Sequence, residues 1–392
     1  MSPFNKTVGS SMPKEIDMGV NDSGFVSRYR RQLFRKIVLT VSCLIVLIVL
    51  TAYFSLTFYP AVSAFKALEI IANHLMGAEY ELRSLEWWAD YYIWNNAMPK
   101  ILGAIVAGCG LAAAGSLMQS IMNNPLADPY STGISSGACL GAVASIVVGV
   151  SFASAGGYGI VVNAFIGAMV PAVIIIVLAR KIRMTPATLI LAGSALSYFF
   201  NAMITYLMNA AEEDDLKRAY LWQVGNFDYV TWDTLPVMAA ITVVGSIIVF
   251  LMSKQLNIMS LGDRSAKTLG IDVENFRVIS LILMAVMTAG IVSFTGILGF
   301  VGLVAPHIVR LVVGSDNRFV LPISMIMGAT LMLVSEYIAE VHLGIAVGVV
   351  VSIIGSPIFF MLIVFQKKNK GWYRWSPAPS PGIIVARTGA SF

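Results

Sequence analysis

Charge is what this sequence has least of. Asp, Glu, Lys and Arg make up 12% of 392 residues, hydrophobic types 57%, and mean hydropathy is +0.80. Soluble domains carry about 25% charged residues, so a soluble globular enzyme is excluded and a polytopic membrane protein is predicted. Cysteine is almost as scarce. Cys43, Cys109 and Cys139 all fall in apolar runs at no metal-ligand spacing, which excludes a disulfide framework and a zinc site. No Gly-x-x-x-x-Gly-Lys phosphate loop, no His-Glu-x-x-His pair and no sensibly placed Ser/His/Asp or Cys/His set occurs. The expectation is therefore no catalytic residue, no metal and no directly bound cofactor. Any ATP that drives the protein is used by a partner subunit.

Long apolar runs are what the sequence has instead. They fall at about 37–58, 101–121, 131–150, 156–179, 187–209, 236–253, 278–297, 302–313, 319–339 and 343–365, most of them near the roughly 20 residues that cross a bilayer. The run at 302–313 is short, and reads either as a shielded half-span or as a continuation of the one before. Ten spans from an internal N-terminus place the basic cluster Arg28–Lys36, Arg180-Lys181-Ile182-Arg183, Lys254, Arg264, Lys267, Arg277, Arg310, Arg318 and the tail Lys367–Arg374 on the cytosolic side. The acidic run Glu212–Asp215 and the Trp-rich loop from Tyr59 to Met98 fall outside. The net charge of +5 thus sorts by membrane side and implies no nucleic-acid partner. The predicted architecture is an all-α, multi-pass cell-membrane protein with about ten transmembrane helices and both termini cytosolic. It comprises a basic tail (1–36), a membrane domain (37–366) and a C-terminal tail (367–392).

A polar insert at 260–270 interrupts two of these runs. Asp263 favours a helix start, Leu269 can bury an apolar side and Gly270 can stop the helix, so a small knob of about two turns fits between Gly262 and Gly270. The alternative is an ordinary loop with one helical turn. Positive-inside parity puts the knob in the cytosol, where a motor subunit could grip it. Polar residues near the membrane are the other candidates. Asn124, Pro125 and Pro129 precede Gly133, Ser135, Ser136 and Gly137; this stretch reads as a helix break with small-residue packing, or as part of a path lined by Asn124, Ser135 or Ser136. Pro306, His307 and Arg310 form a second break, with His307 and Arg310 on one helix face, able to bond carbonyls freed near Pro306 or to approach Asp316. A proton relay through His307 is the sharper alternative. Glu336 and Glu340, four apart, are the carboxylates an ion-coupled reading would use, at interfacial depth. Gly355 and Pro357 kink the last span, as a moving wall or for packing.

At these residues a resemblance becomes specific. Asn124-Pro125-Leu126-Ala127-Asp128-Pro129, Gly133-Ile134-Ser135-Ser136-Gly137-Ala138, Leu261-Gly262-Asp263 with Leu269-Gly270, Gly299-Phe300-Val301-Gly302-Leu303, Pro306-His307-Ile308-Val309-Arg310, Gly314-Ser315-Asp316 and Gly355-Ser356-Pro357-Ile358-Phe359-Phe360 resemble the FecCD family. These are ABC-importer permeases for iron-siderophore, haem and cobalamin uptake. The resemblance implies a homodimer with its path at the two-fold axis, two cytosolic ATP-binding subunits and an extracytoplasmic substrate-binding protein. It implies that Leu261, Gly262, Asp263, Arg264, Lys267, Leu269 and Gly270 form a coupling helix, and that 187–209 and 345–365 border the path, with Ser197, Met203 and Met208 as lining candidates.

The chain also departs from the family pattern. Ala97-Met98-Pro99-Lys100 stands for Arg-x-Pro-Arg, Asn123 for an arginine, and Glu336 and Glu340 for an Asp and an Arg; the Glu-x-Pro before the last span is missing. Family docking pairs outer arginines with glutamates of the binding protein. The expectation here is docking through Lys100, Glu336 and Glu340, to a binding protein with basic residues or through a more polar contact. The alternative function is an ion-coupled secondary transporter, which would need an essential intramembrane carboxylate and no ATPase.

Overall fold

The computed structural model describes residues 22–78, 80–150, 158–181 and 186–368. The first 21 and last 24 residues, with Ile182 and Arg183 of the Arg180–Arg183 cluster and Lys370 and Arg374 of the tail, lie outside the described residues. Met1–Leu39 and Thr40–Phe392 form separate compact units. In the first, the described part is helical and exposes Arg30, Arg31 and Arg35.

Among the described residues there are fifteen α-helices and no strand. They are α1 (Asp22–Thr57), α2 (Ala64–Leu75), α3 (Leu85–Tyr92), α4 (Met98–Ile121), α5 (Ile134–Val147), α6 (Tyr158–Lys181), α7 (Pro186–Asn209) and α8 (Glu213–Val224). There follow α9 (Leu235–Leu251), α10 (Ser253–Met259), α11 (Asp263–Thr268), α12 (Val273–Thr295), α13 (Val301–Val313), α14 (Asn317–Tyr337) and α15 (Val347–Lys368). Six stretches are long and apolar enough to cross a membrane: Arg30–Thr57, Leu85–Ile121, Tyr158–Lys181, Ala187–Asn209, Val273–Thr295 and Asn317–Leu343. The pair α9 and α10, bent by 59°, makes a seventh if it is one span.

Every predicted apolar run contains a helix, but α5, α13 and the apolar part of α15 (Val347–Leu362) are shorter than a full crossing. Local chemistry cuts them. Gly296 and Phe300 take left-handed backbone at φ 67° and 65°, so α13 is a separate helix and not a continuation of α12. The outer loop also departs from expectation: Tyr59–Met98 folds into α2, α3 and a π-helical turn (Ile93–Ala97) that joins α4. The acidic run likewise is the first turn of α8, where Glu213, Asp214 and Asp215 complement the positive helix terminus.

Helix α4 is the axis of the Thr40–Phe392 unit. Nineteen of its 24 residues are buried, and α9, α12, α13 and α14 pack around it. Lipid tails are as apolar as leucine, so such helices associate by close packing of small residues rather than by a hydrophobic force. The sequence supplies them. A Cβ at Gly108 would run into the Gly328 carbonyl of α14, and one at Gly115 into the Gly302 carbonyl of α13. Gly137 and Gly167 make the same approach between α5 and α6. Helices α4 and α14 are antiparallel: Lys100 and Glu340 meet at one end, Ser120 and Asn317 at the other.

Candidate functional site

At the end where α4 finishes, the knob is present as α11, one and a half turns set between Gly262 at φ 92° and Gly270 at φ 85°. One expectation is corrected. Leu269 does not bury; it is 58% exposed, and Ala266 turns inward against Met259 and Val273. Leu269 is the C-terminal cap, one residue beyond the helix, and the smaller side chain of Ala266 permits the closer approach. Asp263 opens the helix, as its position suggests. Its Oδ1 accepts from Arg277 Nη2 at 2.8 Å, tying α11 to the N-terminal part of α12. Lys267 reaches Glu274 at 2.6 Å; both are exposed, so the pair contributes about 0–1 kcal/mol. Leu261, Arg264, Lys267 and Leu269 are therefore presented outward on a knob whose base is fixed to α10 and α12.

The base of the knob continues into a buried polar network. Asn257 of α10 donates to Asp316 at 2.8 Å and accepts from the Asn317 backbone N–H at 2.8 Å. Arg318 and Asn257 both donate to Asp316 and hold its carboxyl below the usual value, although burial pushes it the other way. Arg310 does not approach Asp316. From α13 its guanidinium donates to the Ser116 carbonyl (3.2 Å), Ser120 Oγ (2.8 Å), Asn317 Oδ1 (3.1 Å) and Gln119 Oε1 (3.4 Å). One buried cation thus joins α4, α13 and the start of α14 through neutral acceptors, a geometry that suits a planar guanidinium. His307 lies 3.2 Å from the Pro125 carbonyl in the turn after α4.

In the turn itself, Asn124 Oδ1 accepts from the Leu126 N–H, and Asp128 caps the 3-10 turn Pro129–Thr132. Ser136 donates to the Gly133 carbonyl and contacts Ser197 Oγ at 3.4 Å. Asn124 and Ser136 thus have their hydrogen bonds within the break and its neighbour α7, as packing requires, while Ser135 is half-buried. Gly355 and Pro357 both lie inside α15, where Gly355 packs against Phe300.

At the other end of α4, two of the three residues expected to dock the binding protein are buried. Lys100 is 7% exposed and Glu336 3%. Lys100 Nζ pairs with Glu340 at 3.1 Å and Asp228 at 3.2 Å, and Tyr92 donates to Glu340 at 3.1 Å. The lysine is held inside an ion cluster that closes α4 onto α14 and the 226–234 loop. Glu336 is buried beside the same cluster. Trp94 and Trp232, whose Nε1 donates to the Trp94 carbonyl at 2.7 Å, stand beside it. Asp228, Tyr92 and Trp232 are participants that local sequence reading does not single out, since each is recruited from a distant segment.

Helices that cross a bilayer, packed on glycine contacts around a buried axis, with one short exposed helix at one end, define a membrane permease. The FecCD transport family matches residues 37–365, and the chain belongs to that family. It is similar to the hemin transport system permease HmuU of Yersinia pestis, 36% identical over 72% of this chain and 86% of that one. The vitamin B12 import permease BtuC of Vibrio cholerae is 33% identical over 76% and 91%, and the Fe(3+)-citrate import permease YfmE of Bacillus subtilis 31% over 77% and 88%. A solved metal-chelate type ABC transporter in an inward-facing conformation superposes with a TM-score of 0.66 at 27% identity, covering 78% of this chain and all of that one.

Proposed function

We propose that this chain is the membrane permease subunit of an ATP-driven importer for metal chelates of the iron-siderophore, haem or cobalamin type. Family membership over residues 37–365 carries the reading, because it spans nearly all of the described chain. The protein crosses the cell membrane ten times with both termini in the cytosol, the short helices α5, α13 and α15 being shielded by their neighbours. It works as a homodimer with two cytosolic ATP-binding subunits and an extracytoplasmic substrate-binding protein.

In this reading α11 is the coupling helix. Exposed Leu261 and Leu269 supply apolar contact to the ATPase, and Arg264 and Lys267 supply charge. A push on α11 passes through Ala266 and Asp263 to α10 and α12, then through Asn257 to Asp316 and Asn317, and so to α14 and the Arg310 network. Alternating access follows from moving those helices around α4.

The test is co-purification of the full-length tagged protein from its own cells. A stoichiometric ATPase is expected, and Leu269→Asp or Gly262→Pro removes it and abolishes uptake while membrane expression persists. Normal uptake by both variants would refute the coupling role. The ion-coupled alternative would draw on Glu336, a buried carboxylate. Uptake driven by an ion gradient without the ATPase, and lost in Glu336→Gln, would favour it.

A further inference from the structure

Helix α2 carries apolar residues on two faces, and the fold covers only one. Ala67 and Ile70 are buried against Ala89 and Ile93, with Tyr59, Val62 and Met98 around them. The other stripe, Phe65, Leu68, Ala72, Leu75 and Met76, repeats at helical spacing and stays uncovered; Phe65 is 87% exposed, Leu75 69% and Met76 75%. Lys66, Glu69 and Asn73 lie between the two on a polar third face, where Lys66 pairs with Glu69 at 3.1 Å. A helix divided this way fits a boundary with protein behind it, water on one side and an apolar medium on the other.

Its height fixes the medium. Helix α1 exposes Val49 and Tyr53 to lipid and ends at Thr57; two residues on, the Tyr59 ring meets the Tyr92 ring at 4.8 Å. Ala89, on which α2 packs, is three residues from Tyr92, about 4.5 Å along a helix. The headgroup layer on each side of the hydrocarbon is about 5–7 Å deep, so the middle of α2 lies in it. On α3, Leu85, Trp88 and Tyr91 are exposed in the same zone and are residue types that favour it.

We propose that α2 is an interfacial helix, seated through Phe65, Leu68, Leu75 and Met76 in the outer-leaflet lipid. It anchors the outer end of α4: His74 at its C-terminal end pairs with Asp90 at 2.8 Å and stacks on Trp94 at 4.1 Å, and Trp94 in turn holds Trp232 of the loop that carries Asp228. The lipid surface is thereby tied to the ion cluster around Lys100.

The test uses full-length protein in nanodiscs of phosphatidylcholine and phosphatidylglycerol. Cys43, Cys109 and Cys139 are replaced by alanine, and spin labels are placed by Leu68→Cys, Leu75→Cys and Asn73→Cys. Collision with oxygen relative to an aqueous nickel chelate is expected to be several-fold higher at 68 and 75 than at 73. Labels at 68 and 75 as open to nickel as 73 would mean water covers the stripe. Shielding from both reagents would mean a protein partner or second copy covers it; either result overturns the proposal. Should the cysteine-free background fail to fold, the unaltered protein is irradiated with a diazirine-bearing phospholipid. Adducts on the 65–76 peptide are expected, and a peptide without adducts overturns the assignment.

Discussion

Arg310 shows how a charge survives in the core of this protein. No carboxylate faces it among the described residues; a carbonyl, a hydroxyl and two amides do, and its Nη1 is left without a hydrogen-bond partner. Hydrogen bonds to a charged donor contribute about 1.5–3 kcal/mol each, and orphaned buried acceptors cost a similar amount. Arg310→Met should therefore lower stability by about 2–4 kcal/mol, read as a drop in thermal midpoint in detergent, and Arg310→Lys should restore only part of it because an ammonium cannot span four acceptors. Asp316 behaves differently because its bonds favour the ionised form. With its folded pKa below 3.8, its contribution is complete above that value and is lost as pH falls through the lower folded value. Asp316→Asn should thus destabilise at neutral pH, and the difference from the parent should vanish as pH drops well below 3.8. A constant difference across the pH series would contradict this.

At the scale of elements, glycine spacing decides which helices touch. Gly115 and Gly302 bring α4 and α13 into backbone contact, which holds the His307 and Arg310 side chains against the end of α4. Gly115→Val should abolish monodisperse protein on gel filtration, since the obstruction is backbone and cannot swing away. Gly299→Ala, where a Cβ meets nothing within 4 Å, should elute as the parent does. The knob is an element of the opposite kind. Its base is fixed and its tip is uncovered, so Leu269→Asp should leave the thermal midpoint within about 0.5 kcal/mol of stability of the parent while removing the ATPase. The knob's place between glycines was legible in the sequence. Its inward residue was not, because Ala266 and Leu269 differ by three positions and only the packing of Met259 and Val273 chooses between them.

For the whole molecule, α7 poses the main question. Tyr198 and Tyr206 are 79% and 72% exposed, and Asn201, Thr205 and Asn209 are exposed beside them on an otherwise apolar span. Polar side chains facing hydrocarbon are costly, so a second copy and a path between the copies are the expected cover. Tyr198→Cys should cross-link to itself in membranes with a bifunctional thiol reagent, giving a dimer band. Its absence, with normal labelling by a monofunctional reagent, would place another surface at the two-fold axis.

The sequence by itself determined the class, the ten apolar segments, the glycine-bounded knob and the family, because bilayer length, charge asymmetry and glycine spacing are local or periodic signals. It did not determine which polar groups meet. Lys100 meets Glu340, 240 residues away, and Asp228, partners that no local pattern announces. Arg310 looked like a partner for nearby Asp316 until α4 brought Ser120 from 190 residues away. Helical periodicity tells which residues share a face; only tertiary packing, by deciding which faces approach closely enough for a hydrogen bond, tells what that face meets.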